Sequence, residues 1–178
     1  MRKIVYGGAI SFDGYLARED GSVDWLIDSP GSTELLKETW PRFDAMLMGR
    51  KTYEIALKMS PGQDASSVFG NMRAVVFSRT LEPTSRDGYE IVGDNAVEFA
   101  RSMKSEDGKD IMLMGGGELA NSLLNAGLVD EIGFNVQPIL LGSGVSAFHQ
   151  MPTQIGLELK ECRQLGSGCV YLSYDVKN

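Results

Sequence analysis

The residues in this chain best suited to chemistry are three consecutive glycines, Gly115, Gly116 and Gly117, set between an apolar run at 111–114 and a helical pattern. Glycines there free the backbone and keep Cβ atoms away from a ligand, while the unpaired N–H groups at a helix start favour an anion. Taken alone, the triplet fits a flexible turn as well as a phosphate site. Gly115, Gly117 and Ala120 also satisfy G-x-G-x-x-G/A, but that fingerprint opens a doubly wound fold, and too few βα units follow it here. A second apolar run, 45–48, ends on Gly49, Arg50, Lys51 and Thr52 at the start of another helical pattern. It supplies local positive charge for an anion, the alternative being two solvated cations, and it lacks the spaced glycine of a P-loop. A third run, 73–77, ends on Ser78, Arg79 and Thr80.

Acid–base chemistry has few candidates. His149 is the single histidine, no G-x-S-x-G elbow accompanies it, and no further ligands stand at zinc spacing, so it is expected on a solvent-facing loop with no metal. Proton transfer would then fall to carboxylates, tyrosines or water. Cys162 and Cys169 flank Gly166-Ser167-Gly168 and could face each other across a hairpin; they are read as reduced thiols. A net charge of −7 argues against a nucleic-acid surface. No apolar run approaches the ~20 residues of a membrane span, and no signal-peptide core is visible. The expectation is one soluble, cytoplasmic domain over 1–178, with neither nucleic acid nor membrane as partner.

The elements that would position these groups follow from periodicity. Residues 3–11 read as a strand whose small Gly7, Gly8 and Ala9 imply a close neighbour, either another backbone or a flat ligand. Phe12-Asp13-Gly14 is a turn, and 15–25 reads as a long mobile loop of the kind that serves as a lid. After the breaker Ser29-Pro30-Gly31-Ser32 comes a helix with Leu35, Leu36, Trp40 and Phe43 on its apolar positions, Glu34 in its first turn and Pro41 disturbing its end. Residues 60–71 are polar and loop-like, 89–92 form a strand, and Asn95 with Glu98 resembles a capping box for a helix through Met103. The glycine triplet leads to a helix over 118–126 that stops at Gly127. Ile132, Phe134 and Val136 alternate with Glu131, Gly133, Asn135 and Gln137, giving a strand with one buried face closed by Pro138. A terminal hairpin joins 157–165 to 170–176.

Strand ends bearing MGRKT, FSR and MGGGELA, in this order and at these separations, resemble the dihydrofolate reductase superfamily over nearly the whole chain. SFDGYLA at 11–17 and GGGELANSLLNAGLVDEIGFNVQPILLG look most like the C-terminal reductase domain of the bacterial bifunctional riboflavin-biosynthesis deaminase-reductase and its stand-alone relatives. The resemblance implies a three-layer α-β-α fold on a mixed, mostly parallel sheet with a C-terminal antiparallel hairpin. It also implies NADPH, hydride transfer to a small pyrimidine- or pteridine-type heterocycle, and a homodimer.

Residue by residue, Gly49, Arg50, Lys51 and Thr52 match the segment holding the adenosine-side phosphates, and Ser78 with Arg79 match the pair near the 2′-phosphate. Gly115, Gly116, Gly117, Glu118 and Leu119 match the pyrophosphate turn, whose Gly115–Gly116 bond the family makes cis; Ala9, Leu16 and Gly21 match the nicotinamide pocket. The chain departs from the riboflavin enzyme at Gly7 and Tyr15, where that enzyme has Lys, and at Met114, where it has Glu. By analogy with dihydrofolate reductases, Asp24, Asp28 and Glu34 are the candidate catalytic carboxylates, each alternatively a solvated side chain. Folate reduction and NADP binding without turnover stand as the rival functions.

Overall fold

The computed structural model describes residues 1–60, 69–86 and 89–177, so most of the polar segment expected at 60–71 lies outside the described residues. Eleven strands are found among the described residues: β1 (Ile4–Ser11), β2 (Tyr15–Ala17), β3 (Phe43–Gly49), β4 (Arg73–Phe77), β5 (Thr84–Arg86), β6 (Tyr89–Val92), β7 (Asp110–Leu113), β8 (Glu131–Gln137), β9 (Val145–Ser146), β10 (Gly156–Gly166) and β11 (Cys169–Lys177). Four helices accompany them: α1 (Pro30–Thr39), α2 (Arg50–Met59), α3 (Ala96–Ser105) and α4 (Gly117–Asn125). Nine strands form one sheet in the order β10-β11-β8-β1-β7-β3-β4-β6-β5. The six from β8 to β6 run parallel, and β11, β10 and β5 are antiparallel additions at the edges. The expected mixed sheet with a terminal hairpin is what forms.

Alternation along the central strands sends successive side chains to opposite faces. Ile4, Tyr6, Leu47, Val75, Ile111 and Leu113 pack with α3 and α4 on one face. Val5, Phe43, Met46, Met48 and Val76 pack with Tyr53 and Ala56 of α2 on the other. The third apolar cluster puts Leu35 of α1 against Leu165, Cys169 and Tyr171 of the hairpin. Three layers result, with α1 and α2 on one side of the sheet and α3 and α4 on the other.

Several local expectations need correction. Pro30 occupies the first turn of α1 and Ser29 caps it, accepting the Ser32 amide at 3.3 Å, so the helix begins inside the supposed breaker. Its first turn therefore holds no acidic residue, and Glu34 falls beyond it. Pro41 converts the helix end to a 3-10 turn at Trp40–Arg42, and Phe43 opens β3 rather than closing α1. Asn95 adopts a left-handed conformation (φ 64°) and makes no side-chain cap, so there is no capping box at α3. The stretch 15–25 carries regular structure: β2 pairs with β9, Arg18 and Ser22 close a turn, and Trp25 is buried. Cys162 is exposed and Cys169 buried, both free, with Cys162 opposite Leu172 in the hairpin register.

Strand β8 differs most. Glu131, Ile132, Gly133 and Phe134 are all buried, because the strand lies between β1 and β11 and carries α1 over its second face. Glu131 is only 1% exposed. Arg42 grips it through two hydrogen bonds of 2.9 and 3.1 Å while also holding Asp110, and Lys160 and Ser173 reach it at 2.5 and 3.2 Å. Burial by itself would push the Glu131 carboxyl upward, but the Arg42 and Lys160 hydrogen bonds overcome it and hold the group at about 2. A carboxyl lowered from its ordinary 4.5 adds stability that is complete above that value and is lost as pH falls towards 2. Glu131→Gln is therefore expected to cost about 3 kcal/mol at pH 7. Urea denaturation of both proteins should show the gap narrowing as pH drops through that window.

Candidate functional site

The carboxyl ends of β1, β7, β3 and β4 lie side by side, and each delivers one of the segments singled out in the sequence. At β7 and β3 the junctions are joined directly: the Met114 amide donates to the Leu47 carbonyl at 2.9 Å, and the Gly49 amide to the Gly115 carbonyl at 3.2 Å. Gly49 and Gly116 are the extended N-cap residues of α2 and α4, and neither helix has a side-chain cap. Two helices on opposite faces thus present first-turn amides to the same edge of the sheet, which is the arrangement that attracts phosphate groups. The Gly115–Gly116 bond is cis, as the resemblance implies.

The glycines here differ in what surrounds them. A Cβ on Gly116 would meet nothing within 4 Å, and one on Gly49 would come no closer than 4.0 Å to the Gly116 nitrogen. A Cβ on Gly117 would strike the Ser146 carbonyl and the His149 ring, so this glycine is required by packing. A Cβ on Gly115 would lie 3.6 Å from Thr52 Oγ1 and 3.7 Å from Leu16 Cδ1, which brings the β2, α2 and α4 segments to one point. Gly21 joins them from the 18–22 turn, packed against Ile55 of α2 at a φ of +82°. Glu118 is exposed and Leu119 half-buried on α4. Arg50 is half-exposed and paired with Glu54 at 2.9 Å, while Lys51 and Arg79 are exposed. Ser78 is buried, and its hydroxyl accepts the amides of Thr80 and Leu81, shaping the turn that presents Arg79. His149 is exposed beside the first residue of α4, as a loop histidine was expected to be.

A cavity of about 310 Å³ opens from Ala9 along the face of the sheet beneath α1. Its roof is the α1 stripe Ser32, Leu35, Leu36 and Thr39, with Trp40 beyond; its floor includes Val5, Met112, Tyr171 and the β8 residues Gly133, Asn135 and Gln137. Gly133, Asn135 and Gln137, which alternation alone assigns to solvent, are thus part of the cavity floor. Asn135 donates its amide to Ser32 Oγ at 2.8 Å, and its Oδ1 is buried without a partner. Gln137 accepts the Ile27 amide at 2.9 Å. These polar residues were missed as site candidates; the available signal was Asn and Gln in a strand too central for one face to remain wet.

The three candidate carboxylates are not brought together. Asp24 is exposed and bound to Arg18 at 2.7 Å, which pulls its carboxyl below the usual range; Asp28 and Glu34 are exposed. None of them lines the cavity, and no other carboxylate does so among the described residues. Among those residues, no three His, Cys, Asp or Glu side chains are grouped to hold a metal ion, and no helix is long and apolar enough to cross a membrane.

Comparison with known proteins agrees with this architecture. YwjB of Bacillus subtilis (strain 168), an uncharacterized protein, is 32% identical over 177 residues, covering 97% of each chain. The riboflavin biosynthesis protein RibD of Mycobacterium tuberculosis H37Rv is 31% identical over 155 residues, covering 78% of this chain and 43% of RibD. Among solved structures, a candidate riboflavin biosynthesis protein from Shewanella sp. PV-4 superposes with a TM-score of 0.79 at 24% identity, covering all of both chains. Dihydrofolate reductase from Enterococcus faecalis, complexed with NADP(H), gives a TM-score of 0.69 at 13% identity over 99% of this chain and 97% of its own. The fold is dihydrofolate reductase-like. The model of the RibD C-terminal domain matches residues 2–171, and the chain belongs to that family.

Proposed function

We propose that this protein is an NADPH-dependent reductase of a small pyrimidine- or pteridine-type ring, and that the nucleotide lies across the carboxyl ends of β4, β3, β7 and β1. The observation that carries the reading is the pair of uncapped helix starts at Gly49 and Gly116, linked by the Gly49–Gly115 hydrogen bond at the ends of β3 and β7, with the neighbouring β1 contributing Ala9 to the cavity wall. Their amides would hold the pyrophosphate. Arg50, Lys51 and Thr52 would serve the adenosine-side phosphates, and Ser78 with Arg79 the 2′-phosphate. Bound NADPH supplies a hydride from C4 of its nicotinamide to an unsaturated or open-chain ribose carbon of the substrate. The chain's own part is to orient the two against each other and exclude bulk water, with the 15–25 segment across the nicotinamide side. Because no carboxylate lines the cavity among the described residues, we assign the balancing proton to water. Consumption of NADPH with a panel of pteridines and ribosylaminopyrimidines tests the reading, and absence of turnover with every member would reject it.

We further propose that the protein works as a cytoplasmic homodimer. β10 runs along the sheet edge with Leu157 and Leu159 exposed, two apolar side chains on an otherwise charged strand that a second copy could cover. Light scattering at micromolar concentration should return twice the 19.4 kDa chain mass.

Three mutational outcomes follow from the nucleotide site. Arg79→Ala should weaken NADPH binding by about 1.5 to 3 kcal/mol, the worth of a hydrogen bond to a charged group, and leave NADH binding nearly unchanged. Equal losses for both nucleotides would remove Arg79 from the 2′-phosphate. Gly49→Ala has room for its methyl group and should keep its melting temperature, yet lose at least about tenfold in NADPH affinity (1.4 kcal/mol) as the methyl enters the space between the helix starts. Gly117→Ala should do the reverse and destabilise the fold, because its Cβ would collide with the Ser146 carbonyl.

A further inference from the structure

The walls of the cavity under α1 carry information about what enters it. Val5, Leu35, Leu36, Trp40, Phe43 and Met112 make most of its surface apolar, and among the described residues the one cation on its wall is Arg42. That guanidinium is already committed, with Nε and Nη2 on Asp110 and Nη1 and Nη2 on Glu131. Lys160, the nearest further cation in this network, is bound to Glu131 at 2.5 Å, so two positive and two negative groups cancel. Moving Arg42 to an incoming anion would leave Glu131 buried and poorly compensated, which costs several kcal/mol.

The start of α1 gives no anion site either, although Ser32 lies on the cavity wall. Its first residue is proline, and the amides of Ser32 and Thr33 donate to the Ser29 carbonyl at 3.0 and 3.4 Å. A Cβ on Gly31 would meet the Leu165 backbone within 3 Å, so this turn is pressed against β10. What remains for recognition is uncharged: the hydroxyls of Ser32 and Thr39 and the amides of Asn135 and Gln137. Asn135 keeps one amide valence unmet, and a half-turn of its soft χ2 exchanges which end faces Ser32.

We propose that this cavity recognises the flat, neutral ring of the substrate by itself, with Asn135 hydrogen-bonding a ring amide edge, and offers nothing to a phosphate on the sugar attached to that ring. The assignment rests on the ring-reductase reading above and adds the charge class of its substrate. A volume of about 310 Å³ is at the small end of the roughly 300–1,000 Å³ of ligand clefts. It suits one or two fused rings with the remainder outside in water.

The test is calorimetric titration of the NADP⁺-saturated chain with a ribosylaminopyrimidine and, separately, its 5′-phosphate ester, each at low and high salt. The ester is expected to bind no more than about fivefold tighter, the most that one solvent-exposed ion pair supplies. An ester that binds tighter than this, with the gain lost in high salt, overturns the assignment and leaves the reductase reading standing. Failure of both compounds to bind, or failure of NADP⁺ to bind, rejects the reductase reading together with it. Asn135→Leu should weaken the unphosphorylated compound about tenfold while NADP⁺ affinity holds. Should that variant fold poorly, Asn135→Ser carries the same expectation, and unchanged ring affinity in a folded variant takes Asn135 out of the site.

Discussion

The close approach between Gly7 of β1 and Gly133 of β8 is the constraint on which the arrangement of the site depends. The two residues are paired in the parallel ladder, and a Cβ on Gly7 would run into the Gly133 carbonyl. On the other side of Gly133, the Tyr171 hydroxyl occupies the space where its own Cβ would point, at 2.7 Å. Two missing side chains therefore let β1, β8 and β11 pack flat beneath α1 and leave room for a cavity between helix and sheet. They also give the departure at position 7 a physical account. A lysine there, as in the riboflavin enzymes this chain resembles, would have to displace β8 in this chain.

This packing forces polar residues indoors, and each needs a partner to remain there. Glu131 finds Arg42, Lys160 and Ser173; Gln137 takes the Ile27 amide; Asn135 gives its amide to Ser32. Of these three only Asn135 is left incomplete, with its Oδ1 buried and unpartnered, and that residue lies on the cavity wall. The same strand thus serves stability at its beginning and an open site further along. A salt-bridge network locks the end at Glu131, and the uncharged amides face the cavity from 135 onward.

What could be read from sequence followed the range of the interactions involved. A buried strand, a glycine and a helix start are neighbours along the chain, so the three strand-end segments were legible, and the hydrogen bond between Gly49 and Gly115 shows two of them meeting in space. Errors arose where a distant element decides the outcome. Alternation in β8 correctly separates Ile132 and Phe134 from Glu131, Asn135 and Gln137, but a period of two cannot tell water from a cavity roofed by α1. Nothing local reveals that Asn95 is left-handed, or that Trp25 is buried on a stretch with few core-forming neighbours. The carboxylates were chosen by analogy in an uncertain register, and the fold leaves Asp24, Asp28 and Glu34 facing solvent.

The distribution of charge ties the two halves of the site together. With a net charge of −7, the chain cannot attract polyanions as a whole, so any affinity for them must be built from local groups. Arg50, Lys51 and Arg79 stand at the carboxyl ends of β3 and β4, on the far side of the Gly115 turn from the cavity. Among the described residues the cavity itself has only Arg42, and two carboxylates already hold it. A ligand with phosphates gains from the first region and not from the second, whereas a neutral ring gains from apolar burial in the second and has little to hold it in the first. On the proposed reading, this asymmetry alone orders the two ligands: the nucleotide cannot bind with its ends exchanged, and its nicotinamide is left at Ala9, where the cavity begins.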